Sequence, residues 1–332
     1  MKRPFLNRCA QRGVAVVTAL LLTTLAVTIV ASLFWQQQVQ VRSIENQRLQ
    51  LQKNWIMRGA LDWASMILRA SSKQFQYDYL GQPWAAPLAD TRLDQYVEDG
   101  QAVGDAGDAI LSGNIVDAQS RYNLNNLSVN GSPSADEVLA FKRLLSSLRL
   151  PGTLATAAAQ AIAQGLPAAP PPAPPVPGQQ GTATAAASAT LPMLQVEDLL
   201  SVPGFTPDIV RQLQDYVVVL PWTGGPTPIN ANTASAEVLA SRFTNLSLAQ
   251  ATTLVAMRRT APFTDVPNFN AQMLNLFQIT VPDTAKIAVS SNFFLVYGKI
   301  RMGRAALNTV SLLNRTTSGP SSSTNIVWIR EQ

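Results

Sequence analysis

The sequence has no histidine, one cysteine, and charged residues at only 14% of its 332 positions. Without histidine the commonest general base and the commonest zinc ligand are missing. Cys9 lies within the first thirteen residues, so the remaining chain has neither thiol nor disulfide, a composition that tolerates an oxidising compartment. Ser/His/Asp, Cys/His and zinc-hydrolase chemistry are therefore excluded. Only carboxylates or a lysine remain from which to build an enzyme, and no catalytic residue is assigned.

Acidic residues are also missing from residues 1–13, where Lys2, Arg3, Arg8 and Arg12 carry four of the 25 basic charges. The formal charge of +5 and the pI near 9.6 come almost wholly from this leader. Without it the basic residues nearly balance the 20 acidic ones, so no general phosphate-binding surface is implied.

The apolar run that follows, VAVVTALLLTTLAVTIVASLFW (residues 14–35), holds no charge in 22 positions. As a helix it spans ~33 Å, enough for a bilayer core. A cleavable secretory signal has a shorter apolar region and ends in a small-x-small site. Here Ile29-Val30-Ala31 is the best such site and has isoleucine at its first position. The run is apolar on every face, which fits a membrane helix better than a core helix. Basic residues before Gly13 favour a cytoplasmic N-terminus, placing the bulk outside the cytoplasm.

From Gln36 to Ala70 there is no proline and one glycine, Gly59, so the helix is expected to continue to about residue 70. Leu51, Trp55, Gly59, Trp63 and Ile67 recur at four-residue steps as a packing stripe, opposite Arg42, Glu45, Arg48, Gln52 and Arg69. Residues 71–108 read as loop, with Pro83, Pro87 and Gly81, Gly100, Gly104 and Gly107. AILSGNIVD (109–117) begins with the alternation of a strand and passes into Asn- and Ser-rich turns. SPSADEVLAFKRLLSSL (132–148) has helical spacing, with Glu137 near its first turn. Seven prolines in residues 167–177, followed by Gly, Ala and Thr to about 190, mark a surface loop or tether.

Two stretches, 194–221 and 229–269, each read as helix, short turn, helix. In the second, Asn232 and Glu237 suit a helix start as cap and first-turn acid. Residues 292–303, 305–315 and 325–332 are β-branched or aromatic and separated by turn residues, as in an antiparallel meander. The economical architecture is a small α+β head (71–118 plus 286–332) interrupted by an all-α insert, 119–285.

These pieces together resemble the K-type minor pseudopilins of type II secretion, the GspK family. The resemblance rests on the basic leader ending at Gly13, the apolar helix from Val14, and IVDAQSRYNLNNL (115–127). It rests equally on EDLLSVPGFTPDIVRQLQDYVVVLP, INANTAS (229–235) and RRTAPFTDVPNF (258–269). It implies a pilin-like fold, with a long membrane helix packed on an antiparallel sheet. It also implies cleavage after Gly13 by a prepilin peptidase, which N-methylates Val14. The subunit would sit at the tip of a periplasmic pseudopilus with I- and J-type partners. There it would initiate assembly, on an inner-membrane platform, of a filament that exports protein across the outer membrane. Two positions depart from the pilin pattern: Val14 stands where most have Phe, and Thr18 where most have Glu. An unpaired carboxylate is costly in lipid. A tip subunit has no neighbour above to pair with it, and K-type members characteristically lack it. The resemblance further implies calcium in the head. Asp105, Asp108 and Asp117 are hard ligands of a suitable kind but lack EF-hand spacing, so no ligand set is assigned.

Three other readings stay open at this level. The two helical stretches look like helix-hairpin-helix units, similar to tethered DNA receptors of natural transformation. However, TNLSLAQ (244–250) has no glycine, and the first unit has Thr206-Pro207 in place of its second, so nucleic acid is not expected as a partner. A type IV pilus minor pilin shares the leader and helix. A tethered scaffold unrelated to filaments would retain residues 1–13. Mass spectrometry of the membrane-extracted chain should find Val14 at the mature N-terminus, and Gly13→Val should accumulate uncut. A chain beginning at Met1 would sink the pseudopilin reading.

Overall fold

The computed structural model describes residues 12–93, 109–165, 191–302, 305–316 and 323–332. Helix α1, Arg12–Gln74, runs unbroken for 63 residues, about 95 Å at the helical rise. Its hydroxyls do not interrupt it. Thr18 donates to Ala15 O, Thr23 to Leu20 O, and Thr28 to Thr24 O, so each of these threonines finds a carbonyl on its own helix.

The head is an antiparallel sheet of five strands in sequential order: β1 (Leu88–Arg92), β2 (Ile110–Asp117), β3 (Phe293–Met302), β4 (Ala305–Thr316) and β5 (Ser323–Glu331). β2 pairs with β3 from Ile110↔Arg301 to Asp117↔Phe294. The three C-terminal strands form the expected meander. β1 lies in the segment read as loop, because LADTR is short and half polar. The sheet resumes at Phe293 rather than near 286, since Ile287–Ala288 pairs with Ile229–Asn230 of the insert.

The period-two alternation of β3 sorts its side chains onto two covered faces. Val296 and Ile300 join Leu111, Leu307 and Leu313 under α1, which contributes Met57, Leu61 and Ala64. Phe293 and Leu295, with Val310 and Leu312, face Val218 and Leu220 of the insert. Near the end of α1, Leu68 packs with Trp84 and Phe294, whose rings meet edge to face at 5.3 Å. The sheet is therefore sandwiched, and both covers are needed to dry it.

The insert carries α2 (Ala135–Ser147), α3 (Thr153–Gly165), α4 (Pro207–Leu213), α5 (Ala236–Ser241), α6 (Leu248–Met257) and α7 (Val266–Phe277). It is mainly helical but not wholly so: Tyr122–Asn123 pairs in parallel with Val217–Val218, and Ser128–Val129 with Ser132–Pro133. The first stretch read as two helices opens with a 3-10 helix, Val196–Ser201, before α4. In the second, α5 is capped by Ser235, whose hydroxyl accepts from Val238 N. Asn232, expected as that cap, instead exchanges two hydrogen bonds with the backbone of Phe263. The insert has two apolar cores. One is built around Tyr122, Phe141, Leu144 and Ile162, the other around Phe243, Leu254, Phe269 and Met273.

Gly113 of β2 lies under the backbone of β3, where a Cβ would come within 2.2 Å of Tyr297 O. Gly113→Ala should cost about 1–3 kcal/mol, read as a lower urea midpoint with unchanged m-value.

Candidate functional site

The predicted cleavage bond, Gly13–Val14, falls in the first turn of α1. Residues 1–11, including Cys9, lie outside the described residues. At Thr18 the hydroxyl is held by Ala15 O at 3.0 Å, so the position needs no ionic partner to sit in lipid.

The expected packing stripe does not meet the head along its length. Leu51 is 62% exposed and Trp55 71% exposed, Trp63 is exposed, and Ile67 is half-buried beside Leu68 and Trp84. The reason is geometric: each four-residue step advances about 40° round a helix of 3.6 residues per turn. The stripe therefore winds from the solvent side at Leu51 to the edge of the head at Ile67. The true packing line, Met57, Leu61, Ala64 and Leu68, alternates steps of four and three and so stays over the sheet. What remains is an unpaired apolar ridge through Val41, Ile44, Leu51, Trp55 and Trp63, contiguous with the membrane-length segment. Beside it, two cavities of about 330 and 370 Å³ share Ala60, Trp63, Leu88 and Leu111, forming one apolar groove between α1 and the β1–β2 edge. Exposed apolar surface of this extent marks an interaction site.

Where the insert enters and leaves the sheet, the buried groups are polar. Asp117 Oδ2 accepts from Thr233 Oγ1 and Ser291 Oγ at 2.6 Å each and from Asn230 Nδ2 at 2.9 Å; its Oδ1 accepts from Gln119 N. Burial pushes its carboxyl up to about 6, against the pull of the Ser291 and Thr233 hydroxyls, with repulsion from Asp78 adding to the rise. Asp78 Oδ2 in turn takes Ser291 N at 2.8 Å and Arg315 Nη2 at 2.5 Å. Arg315 also donates to Leu68 O and Ser291 O and lies 4.7 Å from the Phe294 ring centroid. None of Asp78, Asn230, Ser291 and Arg315 stands out in sequence, because each is an ordinary polar residue made special only by where the chain folds back.

A second buried pair joins the two cores of the insert. Glu137 Oε1 and Oε2 accept from Arg242 Nη2 and Nη1 at 2.8 and 2.6 Å, and Tyr122 Oη donates to Oε2 at 3.0 Å. Glu137 is thus not a helix-dipole acid at the start of α2, as its position suggests, but half of an ion pair.

The donors left over do not form a phosphate grip. Arg211 pairs with Asp208, and Arg258 is buried, donating to Ala231 O at 2.6 Å. Burial, then repulsion from Arg259, lowers the Arg258 guanidinium to about 10. Asp105 and Asp108 lie outside the described residues. Asp117 does not fit a calcium ligand, since its oxygens already accept four protein donors. Among the described residues no group of three Asp, Glu, His or Cys side chains is placed to hold a metal.

Two family models describing the type II secretion system (T2SS), protein K, match residues 120–222 and 229–290, which together span most of the insert. The chain belongs to the type II secretion system protein K family. The family's *Pseudomonas aeruginosa* member is 29% identical over 327 residues, covering 94% of this chain and 91% of that one. The *Pectobacterium carotovorum* member is 27% identical over 331 residues, covering 92% and 93%. The fold is that of a chain in the crystal structure of the GspK-GspI-GspJ complex from enterotoxigenic *Escherichia coli*. That likeness has a TM-score of 0.62 at 23% identity, covering 88% of this chain and 99% of that one. The protein is a GspK-type minor pseudopilin, with a pilin-like fold and, among the described residues, one helix long and apolar enough to cross a membrane.

In this GspK-type chain the joint at Asp117 makes stability depend on pH. A carboxyl whose folded pKa is raised from 3.8 to about 6 contributes stability that is full below pH 3.8 and is lost as pH rises through about 6. Urea midpoints should therefore rise as pH falls from 7 towards 5, and Asp117→Asn should flatten that part of the profile.

Proposed function

We propose that this subunit is structural, without catalysis of its own, and initiates the pseudopilus from its tip. A prepilin peptidase cuts after Gly13 on the cytoplasmic side and methylates Val14. The head lies in the periplasm, and α1 then leaves the inner membrane with its partners, I- and J-type minor pseudopilins. The observation that carries this reading is the apolar ridge of α1, which its own head leaves uncovered just beyond the membrane-length segment. Burying such side chains is worth about 25 cal/mol per Å² outside the bilayer. Within it that gain is already realised, so helix fit must supply specificity there. The related *Escherichia coli* chain was crystallised in a complex with GspI and GspJ, which supports the choice of partners. Thr18 supports the tip position, since it asks for no ionic contact from a subunit above.

The full chain in detergent should co-purify with I- and J-type subunits. The double variant Leu51→Asp/Trp55→Asp should lose that association by about tenfold or more, as for removal of an interface anchor, with an unchanged circular dichroism spectrum. Undiminished association would move the interface off this ridge.

A further inference from the structure

The seam between the two cores of the insert opens into a polar pocket of about 200 Å³, lined by α2, the turn after α5 (242–245) and the segment around Thr280–Thr284. Arg143 and Arg242 stand in its wall and Asp136, Thr244, Asn245 and Thr284 also line it. Arg242 is fully engaged by Glu137 and by the Ala285 and Thr284 carbonyls. Arg143 is not. Its Nε donates to Ser241 O at 2.7 Å, and its terminal nitrogens have no protein acceptor among the described residues. No carboxylate among the described residues lies within 4 Å of it, and the buried Glu137 has both oxygens committed.

We propose that this pocket binds an acidic side chain presented by a partner protein, with Arg143 as its principal contact. A half-buried guanidinium fixed at Nε holds its remaining N–H groups in the planar fork that matches a carboxylate. Burial and then the neighbouring Arg242 lower the Arg143 pKa, with the more distant Glu137 and Asp136 opposing them. The volume suits one side chain rather than a strand or helix. The hydroxyls and amide of the lining complete a hydrogen-bonding rim, and exposed Asp136 is the one acidic residue among the lining side chains.

The test uses the full-length chain in detergent micelles, labelled with 15N-threonine and titrated with N-acetyl-glutamate amide against chloride at constant ionic strength. Saturable shifts are expected at Thr244, Thr280 and Thr284, with Thr252 and Thr253 of α6, which do not line the pocket, unmoved and serving as the check on folding. Arg143→Gln should weaken the binding about tenfold, the loss of a charge-assisted pair partly open to water. Arg143→Lys should fall between, keeping the charge but losing the fork, and Asp136→Asn should tighten binding. Equal shifts with chloride, no shift at all, or saturable shifts that survive Arg143→Gln would each overturn the proposal.

Discussion

One buried chain of polar contacts holds the molecule together: Arg315 to Asp78, Asp78 to Ser291, Ser291 to Asp117, and Asp117 to Asn230 and Thr233. Each link joins a different part of the sequence. Arg315 closes the sheet and reaches Leu68 O at the end of the long helix. Asp78 belongs to the turn after that helix, and Asn230 and Thr233 to the middle of the insert. Buried charges cost several kcal/mol each unless fully paired, so this chain is stable only when all its members are assembled. It therefore specifies the arrangement of helix, sheet and insert more than it adds net stability.

With the head fixed on one side of α1, the other side is left free. Met57, Leu61, Ala64 and Leu68 are spent on the sheet, whereas Leu51, Trp55 and Trp63 are not. A helix that must first lie in lipid and later against other helices can be apolar all round in its first half at no cost. In its second half, apolar residues turned away from the head are a liability in water. Their presence over several turns is the physical trace of a protomer built to be covered.

The large features were legible because they are periodic. Uncharged length exposed the membrane helix, and alternation exposed β2 and the C-terminal meander. What stayed hidden had no period. β1 is five residues long and half of it is polar, and α7 begins Val266-Pro267, which reads as a turn as readily as a helix start. The stripe leaves the head by a drift of angle: Leu51 to Ile67 looks regular in sequence, yet rotates by nearly half a turn. Glu137 and Arg242 lie 105 positions apart, and no local signal announces that two such charges will be buried together. The candidate surface was thus half visible. Its apolar character showed, but not which side of the helix the head would take.

The position of the insert follows from the same geometry. Asp117 and Phe294 are the last paired residues of β2 and β3, so the chain leaves and re-enters the sheet at neighbouring points, and the cost of closing even a long excursion grows only slowly with its length. A hairpin end tolerates such an insertion if its two strands stay in register. Gln119 Oε1 accepts from Asn292 N and Phe293 N, while its Nε2 donates to Pro228 O. One side chain thus clamps entry, exit and middle of the excursion together. The insert can carry its own cores and its own seam without pulling on the strands, because the sheet meets it through this clamp, the Asp117 joint, the apolar cover of Val218 and Leu220, and a hydrogen bond from Arg330 to Leu194 O. A pilin-like head can therefore bear a large helical domain at its end while the surface that α1 offers to partners stays undisturbed.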